Sequence, residues 1–168
     1  MKRHILSILC LFVLIGFTSE SRAQGSTAVG LRMGSPTAVS IKHYFKEATA
    51  IEAYVGTRGF SSYRRNNVSL AIQIHKPLDY FQDYGQLAYY YGAGVSAYFW
   101  RYGSLTDGLG FDRRSLGLQA YGGFDFLMDD YPINISIDWT PSIFLGNGYY
   151  RGLGVGYGTL SIRYILGQ

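Results

Sequence analysis

The chain has 168 residues, 48% hydrophobic and only 15% charged, with a formal net charge of +4, 22 Gly, 16 Tyr and one Cys. A disordered chain would be poor in aromatics and strongly charged, whereas Phe, Trp and Tyr make up 17% here. Gly and Tyr are weak helix formers and the usual helix-filling residues are scarce, which excludes a helical bundle and points to strands.

The first segment reads as an export signal. Lys2 and Arg3 form a basic start, Ile5 to Phe17 are an apolar run, and Ser21-Arg22-Ala23 carries small residues at cleavage spacing. The run is shorter than the roughly 20 apolar residues a membrane-spanning helix takes. The expected division is therefore a cleaved signal peptide, residues 1–23, and one mature domain, residues 24–168. Cys10 lies inside the apolar run after Leu9, so neither a lipid anchor nor thiol chemistry is expected of the mature chain.

From there the pattern alternates with period two, which is the strand period. Val29, Leu31 and Met33 oppose Gly30 and Arg32; Val39 and Ile41 oppose Ser40 and Lys42; Ile51, Ala53 and Val55 oppose Glu52, Tyr54 and Gly56. Val68, Leu70, Ile72 and Ile74 then alternate with Ser69, Ala71, Gln73 and His75. Leu87 to Phe99 is the plainest strand, its odd positions apolar or aromatic and its even positions mostly small or hydroxylated. Leu116, Leu118, Ala120, Phe124 and Phe126 oppose Gly117, Gln119, Tyr121, Gly123 and Asp125, and Ile133, Ile135, Ile137 and Trp139 oppose Asn134, Ser136, Asp138 and Thr140. In the last strand Leu160, Ile162 and Tyr164 oppose Ser161 and Arg163, but Val155 and Tyr157 fall in the other phase, which predicts a bulge or glycine kink. Eight strands result, separated by turn signals, the longer ones at Arg58 to Asn67, Lys76 to Gln86 and Arg101 to Arg114.

Eight alternating strands fit either a soluble barrel or a membrane barrel turned inside out. The polar faces carry few charges and are otherwise Gly, Ala, Ser and Tyr, which suits the narrow inside of an eight-stranded barrel, while the apolar faces are too bulky for it. The expected fold is all-β: an eight-stranded antiparallel up-and-down transmembrane β-barrel with its apolar faces toward lipid. Arg32, Lys42 and Arg163 are then an interior set balanced by Glu52, Asp125 and Asp138, as ions in a closed lumen must be paired. Lys42 and Glu52 are expected to face each other across a tight Lys46-Glu47 hairpin.

With both chain ends in the periplasm, the external connections hold Arg58, Arg64, Arg65, Arg101, Arg113, Arg114 and Arg151 against Asp107 and Asp112, seven arginines to two aspartates, or +5. Guanidinium matches phosphate bidentately, so Arg64-Arg65 and Arg113-Arg114 are expected to contact lipopolysaccharide or another anionic surface. Tyr44, Phe45, Phe99, Trp100, Tyr102, Tyr131, Trp139 and Phe144 stand where strands meet connections and are expected in interfacial girdles.

The chain resembles the small outer-membrane β-barrel proteins of Bacteroidota in its opening Val29-Gly30-Leu31-Arg32-Met33-Gly34, in Ala50-Ile51-Glu52-Ala53, in Ile74-His75-Lys76-Pro77-Leu78 and in Tyr90-Tyr91-Gly92-Ala93-Gly94-Val95. The resemblance implies the fold and an outer-membrane location, and no activity. The chain departs from many such barrels by ending Ile165-Leu166-Gly167-Gln168 rather than in an aromatic residue.

Enzymatic signals are weak. A lipid-modifying barrel needs a Ser, a His base and an orienting acid at the external rim, but His43 and His75 belong at the other end. His75 with Glu52 or Asp125 falls short of a metal ligand set. No helix follows Gly92-Ala93-Gly94 or Gly154-Val155-Gly156, so neither is a nucleotide loop. The expectation is a monomeric, non-enzymatic barrel without cofactor or metal, in contact with outer-membrane lipids, lipopolysaccharide and the barrel assembly machinery, and with no nucleic acid. A narrow channel or small-ligand transport barrel is the alternative, followed by the lipid-modifying enzyme.

Overall fold

A computed structural model describes residues 26–46, 48–59, 63–81, 84–102, 111–145 and 152–166; the expected signal segment, residues 1–23, lies outside them. The described chain forms eight strands: β1 (Thr27–Gly34), β2 (Thr37–Lys46), β3 (Thr49–Arg58), β4 (Tyr63–Phe81), β5 (Gly85–Tyr102), β6 (Phe111–Met128), β7 (Ile133–Leu145) and β8 (Gly152–Leu166). Each pairs antiparallel with the next, and β1 closes on β8 from Thr27 opposite Leu166 to Gly34 opposite Thr159, giving a closed barrel. The expected all-β, eight-stranded, up-and-down architecture is the observed one.

The period-two pattern becomes an inside and an outside. Leu31, Val39, Val55, Leu70, Ile72, Val95, Leu116 and Ile137 point outward and are exposed, whereas Arg32, Ser40, Tyr54, Ser69, Ser96, Gln119 and Asp138 point inward and are buried. This is the reverse of a water-soluble protein, in which such apolar side chains would be covered. It is the arrangement in which a barrel buries its polar groups against one another and presents hydrocarbon to a lipid solvent.

The two ends differ. The terminal end, where β1 begins and β8 finishes, has connections at residues 47–48, 82–84 and 129–132, whereas the opposite, distal end has connections at 35–36, 59–62, 103–110 and 146–151. The wall is uneven as well: β1 has 8 residues while β4 has 19 and β5 and β6 have 18 each. A tilted strand needs only about 9–11 residues to cross a bilayer. Much of what reads as loop at Arg58 to Asn67, Lys76 to Gln86 and Arg101 to Arg114 is therefore paired strand, from Tyr63 opposite Tyr102 down to Phe81 opposite Gly85. The outward apolar alternation of β4 breaks at Asn66 on one side and Lys76 on the other, but the backbone ladder needs no such alternation and continues beyond both.

The predicted irregularity in the last strand is present. Thr140 pairs with Tyr157 and Ser142 with Gly154, so β8 carries an extra residue opposite Pro141. Proline has no N–H to give the ladder, and the bulge absorbs the missing bond. On one side of it Leu153 faces outward and on the other Leu160, Ile162 and Tyr164 do, which accounts for the phase change.

Gly30 sits at the closing seam, between Ser40 of β2 and Arg163 of β8. A Cβ there would fall 2.0 Å from the carbonyl oxygen of Ile162, which is backbone and cannot turn aside. Gly30→Ala is expected to cost about 1–3 kcal/mol through forced movement of the seam, measured as a lowered urea midpoint in detergent.

Candidate functional site

The lumen is filled by side chains from opposite walls. Arg32 on β1 donates from Nη1 to Glu52 Oε1 of β3 at 2.8 Å and from Nη2 to Asp138 Oδ1 of β7 at 2.7 Å. Arg163 on β8 gives Nη2 to the same Glu52 oxygen, Nη1 to Ser136 Oγ at 2.7 Å and Nε to Ser40 Oγ at 3.0 Å. Gln73 Nε2 donates to Glu52 Oε2 at 2.7 Å, and the Tyr90 hydroxyl donates to Asp138 Oδ2 at 2.8 Å.

Nearer the terminal end a second group surrounds Asp125. Lys42 Nζ donates to its Oδ2 at 3.0 Å, the Tyr44 hydroxyl donates to the same oxygen at 2.9 Å, and Asn134 Nδ2 donates to Oδ1 at 2.5 Å. His75 Nε2 lies 3.1 Å from Asp125 Oδ2, and its ring stacks on Tyr90. Lys42 also lies 4.4 Å from the Tyr90 ring centre, a cation–π arrangement.

All six charged residues expected inside are inside and almost wholly buried, three cations against three carboxylates. Lys42 does stand opposite Glu52 in the β2–β3 register, but its hydrogen-bonded carboxylate is Asp125 across the lumen, and the two arginines occupy Glu52. In a barrel this narrow the far wall is within reach of a long side chain, and a strand pattern reports only neighbours on the same face. Burying such ions costs desolvation that pairing offsets, and the pairs span the interior from wall to wall.

Toward the distal end comes an uncharged tier. Gln119 Nε2 donates to the hydroxyls of Tyr54 at 3.1 Å and Tyr98 at 3.0 Å, and the Tyr121 hydroxyl donates to Gln119 Oε1 at 2.8 Å. Beyond it the lumen opens into a cavity of about 400 Å³ bounded by the distal ends of the strands, with Arg58, Arg65, Tyr98, Trp100 and Phe144 in its wall and Arg32 and Tyr54 at its floor. Trp100, Phe144 and Tyr98 form one aromatic cluster, with ring centres 5.0 to 6.3 Å apart.

This cavity changes the girdle assignment. Phe45, Phe99, Tyr131 and Trp139 are exposed, but Trp100 and Phe144 are buried inside the lumen and Tyr44 reaches in to Asp125. Parity carried the signal, since Trp100 shares the phase of Ser96 and Tyr98, and Phe144 that of Ser142. The Tyr102 side chain lies outside the described residues.

The seven arginines expected in external loops are likewise divided. Arg58 is half-buried at the end of β3 and lines the cavity, and Arg65 is buried in β4 with its guanidinium 5.2 Å from the Trp100 ring centre and 5.4 Å from that of Tyr98. Arg114 is exposed on β6. Arg64, Arg101 and Arg113 belong to strands rather than loops, their side chains lying outside the described residues, as does Arg151 altogether. The polar residues that complete the lumen, Gln73, Gln119, Asn134 and Ser136, stand on the polar faces that the alternation assigns them.

His43 is half-buried and shares a 2.8 Å hydrogen bond with Thr27 Oγ1. Among the described residues no cluster of three or more His, Cys, Asp or Glu is placed to hold a metal ion.

No protein-family model matches the sequence, and no curated protein sequence does. Solved structures do match in shape. The N-terminal β-barrel domain of OprF from Pseudomonas aeruginosa superposes with a TM-score of 0.63 at 10% identity, over 85% of this chain and 97% of that one. Neisserial surface protein A superposes with a TM-score of 0.53 at 13% identity, over 84% and 94%. The chain thus has the fold of small eight-stranded outer-membrane barrels.

Proposed function

We propose that this chain is a small integral outer-membrane barrel with a closed lumen, whose role is structural and interactive rather than catalytic. One observation carries the reading: apolar side chains cover the outside of the barrel while ions and polar groups are matched inside it. Connections of two to four residues at the terminal end, against three of four to eight residues beside one of two at the distal end, fit the periplasmic and external sides. The distal end then displays arginine to the outer leaflet, and the exposure of Arg114 on β6 supports a contact with lipopolysaccharide phosphate.

Fractionation and gel mobility test the membrane reading. The chain is expected in the outer-membrane fraction, and unheated samples in detergent are expected to migrate differently from boiled ones. Recovery from the soluble periplasm with no heat-dependent mobility would sink it. Planar-bilayer recording tests the closed lumen: silence is expected, since Arg32, Lys42 and Arg163 reach their carboxylates across the interior, and steady single-channel steps would favour a channel instead.

A further inference from the structure

We infer that the outer wall at the distal end seats one molecule of lipid A, the phosphorylated, acylated glycolipid that anchors lipopolysaccharide, with a phosphate at Arg114 and an acyl chain in a groove below it. Such a seat presupposes the outer-membrane reading and the arginine–phosphate contact above, and adds a place for the acyl chain. The groove has a volume of about 320 Å³ and lies on the outside of the barrel, toward the distal ends of β4, β5 and β6. The strand register accounts for its shape. Val68, Ala97 and Leu116 stand side by side in one row and Leu70, Val95 and Leu118 in the next, all in the outward phase. Ala97 is half-buried between larger neighbours, so the wall dips where its short side chain leaves space.

The row above the groove changes character. Asn66, Phe99 and Arg114 are aligned across the same three strands, all of them exposed and outward-facing. Arg114 forms no ion pair among the described residues, and a guanidinium at the edge of the apolar wall matches a phosphate bidentately. Arg114 and Leu118 are four positions apart on β6, about 14 Å along the strand, so the phosphate and an acyl chain of one lipid reach both. Charge selects the occupant. A neutral acyl lipid would fill the groove and leave the guanidinium without a partner, whereas free phosphate would pair with the arginine and leave the groove empty. Lipid A carries both groups on one molecule and belongs to the leaflet that the distal end faces.

Native mass spectrometry of the protein released from non-ionic detergent tests the seat. Lipid A is expected to bind saturably at one molecule per chain, and lipid A stripped of its phosphates at least about tenfold more weakly. Arg114→Gln and, separately, Ala97→Leu are each expected to weaken lipid A by about tenfold, the first by removing the phosphate's partner and the second by filling the groove. Both positions face outward, away from the interior ion network, and unheated gel mobility shows whether each variant has formed its barrel. Weakening by Arg114→Gln alone, with Ala97→Leu binding like the parent, would overturn the seat and leave the arginine–phosphate contact standing. Unchanged binding in both folded variants would overturn seat and contact together. A bound count that rises without saturating is annular lipid only, and binding of phosphatidylglycerol equal to that of lipid A is a general anionic-lipid surface; either result sinks the seat. A parent chain without heat-dependent mobility would bring down the barrel reading itself, and the seat with it.

Discussion

Glu52→Ala is expected to destabilise the barrel by about 3–5 kcal/mol, the usual consequence of removing one partner from a buried ionic cluster. Glu52 is fully buried and serves three donors at once: Arg32 and Arg163 on one oxygen and Gln73 on the other. Without it the lumen holds three cations against two carboxylates, and two guanidinium groups are left to face each other in an interior that water does not screen. Neither arginine can shed its proton, so the excess charge stays. Equilibrium urea unfolding in lipid vesicles is the measurement, with Ser161→Ala as the comparison. Ser161 is equally buried, but its Oγ makes no hydrogen bond among the described residues, and its loss is expected to change stability by less than about 0.5 kcal/mol. Equal behaviour of the two variants would mean that the ionic network carries no more of the fold than a spectator hydroxyl.

Ile72→Arg is the complementary test on the outside. Ile72 is exposed, pairs with Ile51 and Ala93 in the middle of the wall, and is flanked along its own strand by outward-facing Leu70 and Ile74. An arginine at that depth is expected to cost about 2–4 kcal/mol in a bilayer, falling toward zero near either interface. The same change in a water-soluble barrel would be harmless or favourable, because it replaces exposed hydrocarbon with charge. Folding yield into vesicles, read from the unheated gel band, distinguishes the two. Full insertion of Ile72→Arg and of Ile135→Arg would mean that the outer face does not meet lipid.

Strand number, closure and the identity of the six interior ions were legible in the sequence because all three follow from parity, and parity is local. The bulge in β8 was legible for the same reason, as a break in phase between Val155 and Leu160. Strand ends were not, because β4 to β6 run on as a paired ladder past the points, such as Asn66 and Lys76, where the outward apolar alternation breaks. The partner of Lys42 was not legible either: Asp125 lies 83 positions away and meets it only because the barrel closes. The mouth arginines were misplaced by a different route. Arg65 was counted with its loop-like neighbours, although it keeps the inward phase of Asn67 and Ser69, and Trp100 and Phe144 were read by their position near strand ends when their phase put them inside.

The seam between β1 and β8 bears on how the molecule is made. Synthesis supplies β1 before β8, so until β8 docks the first strand keeps an unpaired edge, the kind of surface that invites aggregation. The same final strand brings Arg163, and until it docks the interior has two cations against three carboxylates. Edge and charge are therefore satisfied in one event, and that event joins the most distant parts of the chain, which is the slow kind of contact to form. The barrel has no half-built form that is both neutral inside and closed at its edge. A nascent chain must be shielded until its last strand arrives, and a truncation that removes β8 is expected to yield an aggregating polypeptide rather than a smaller barrel.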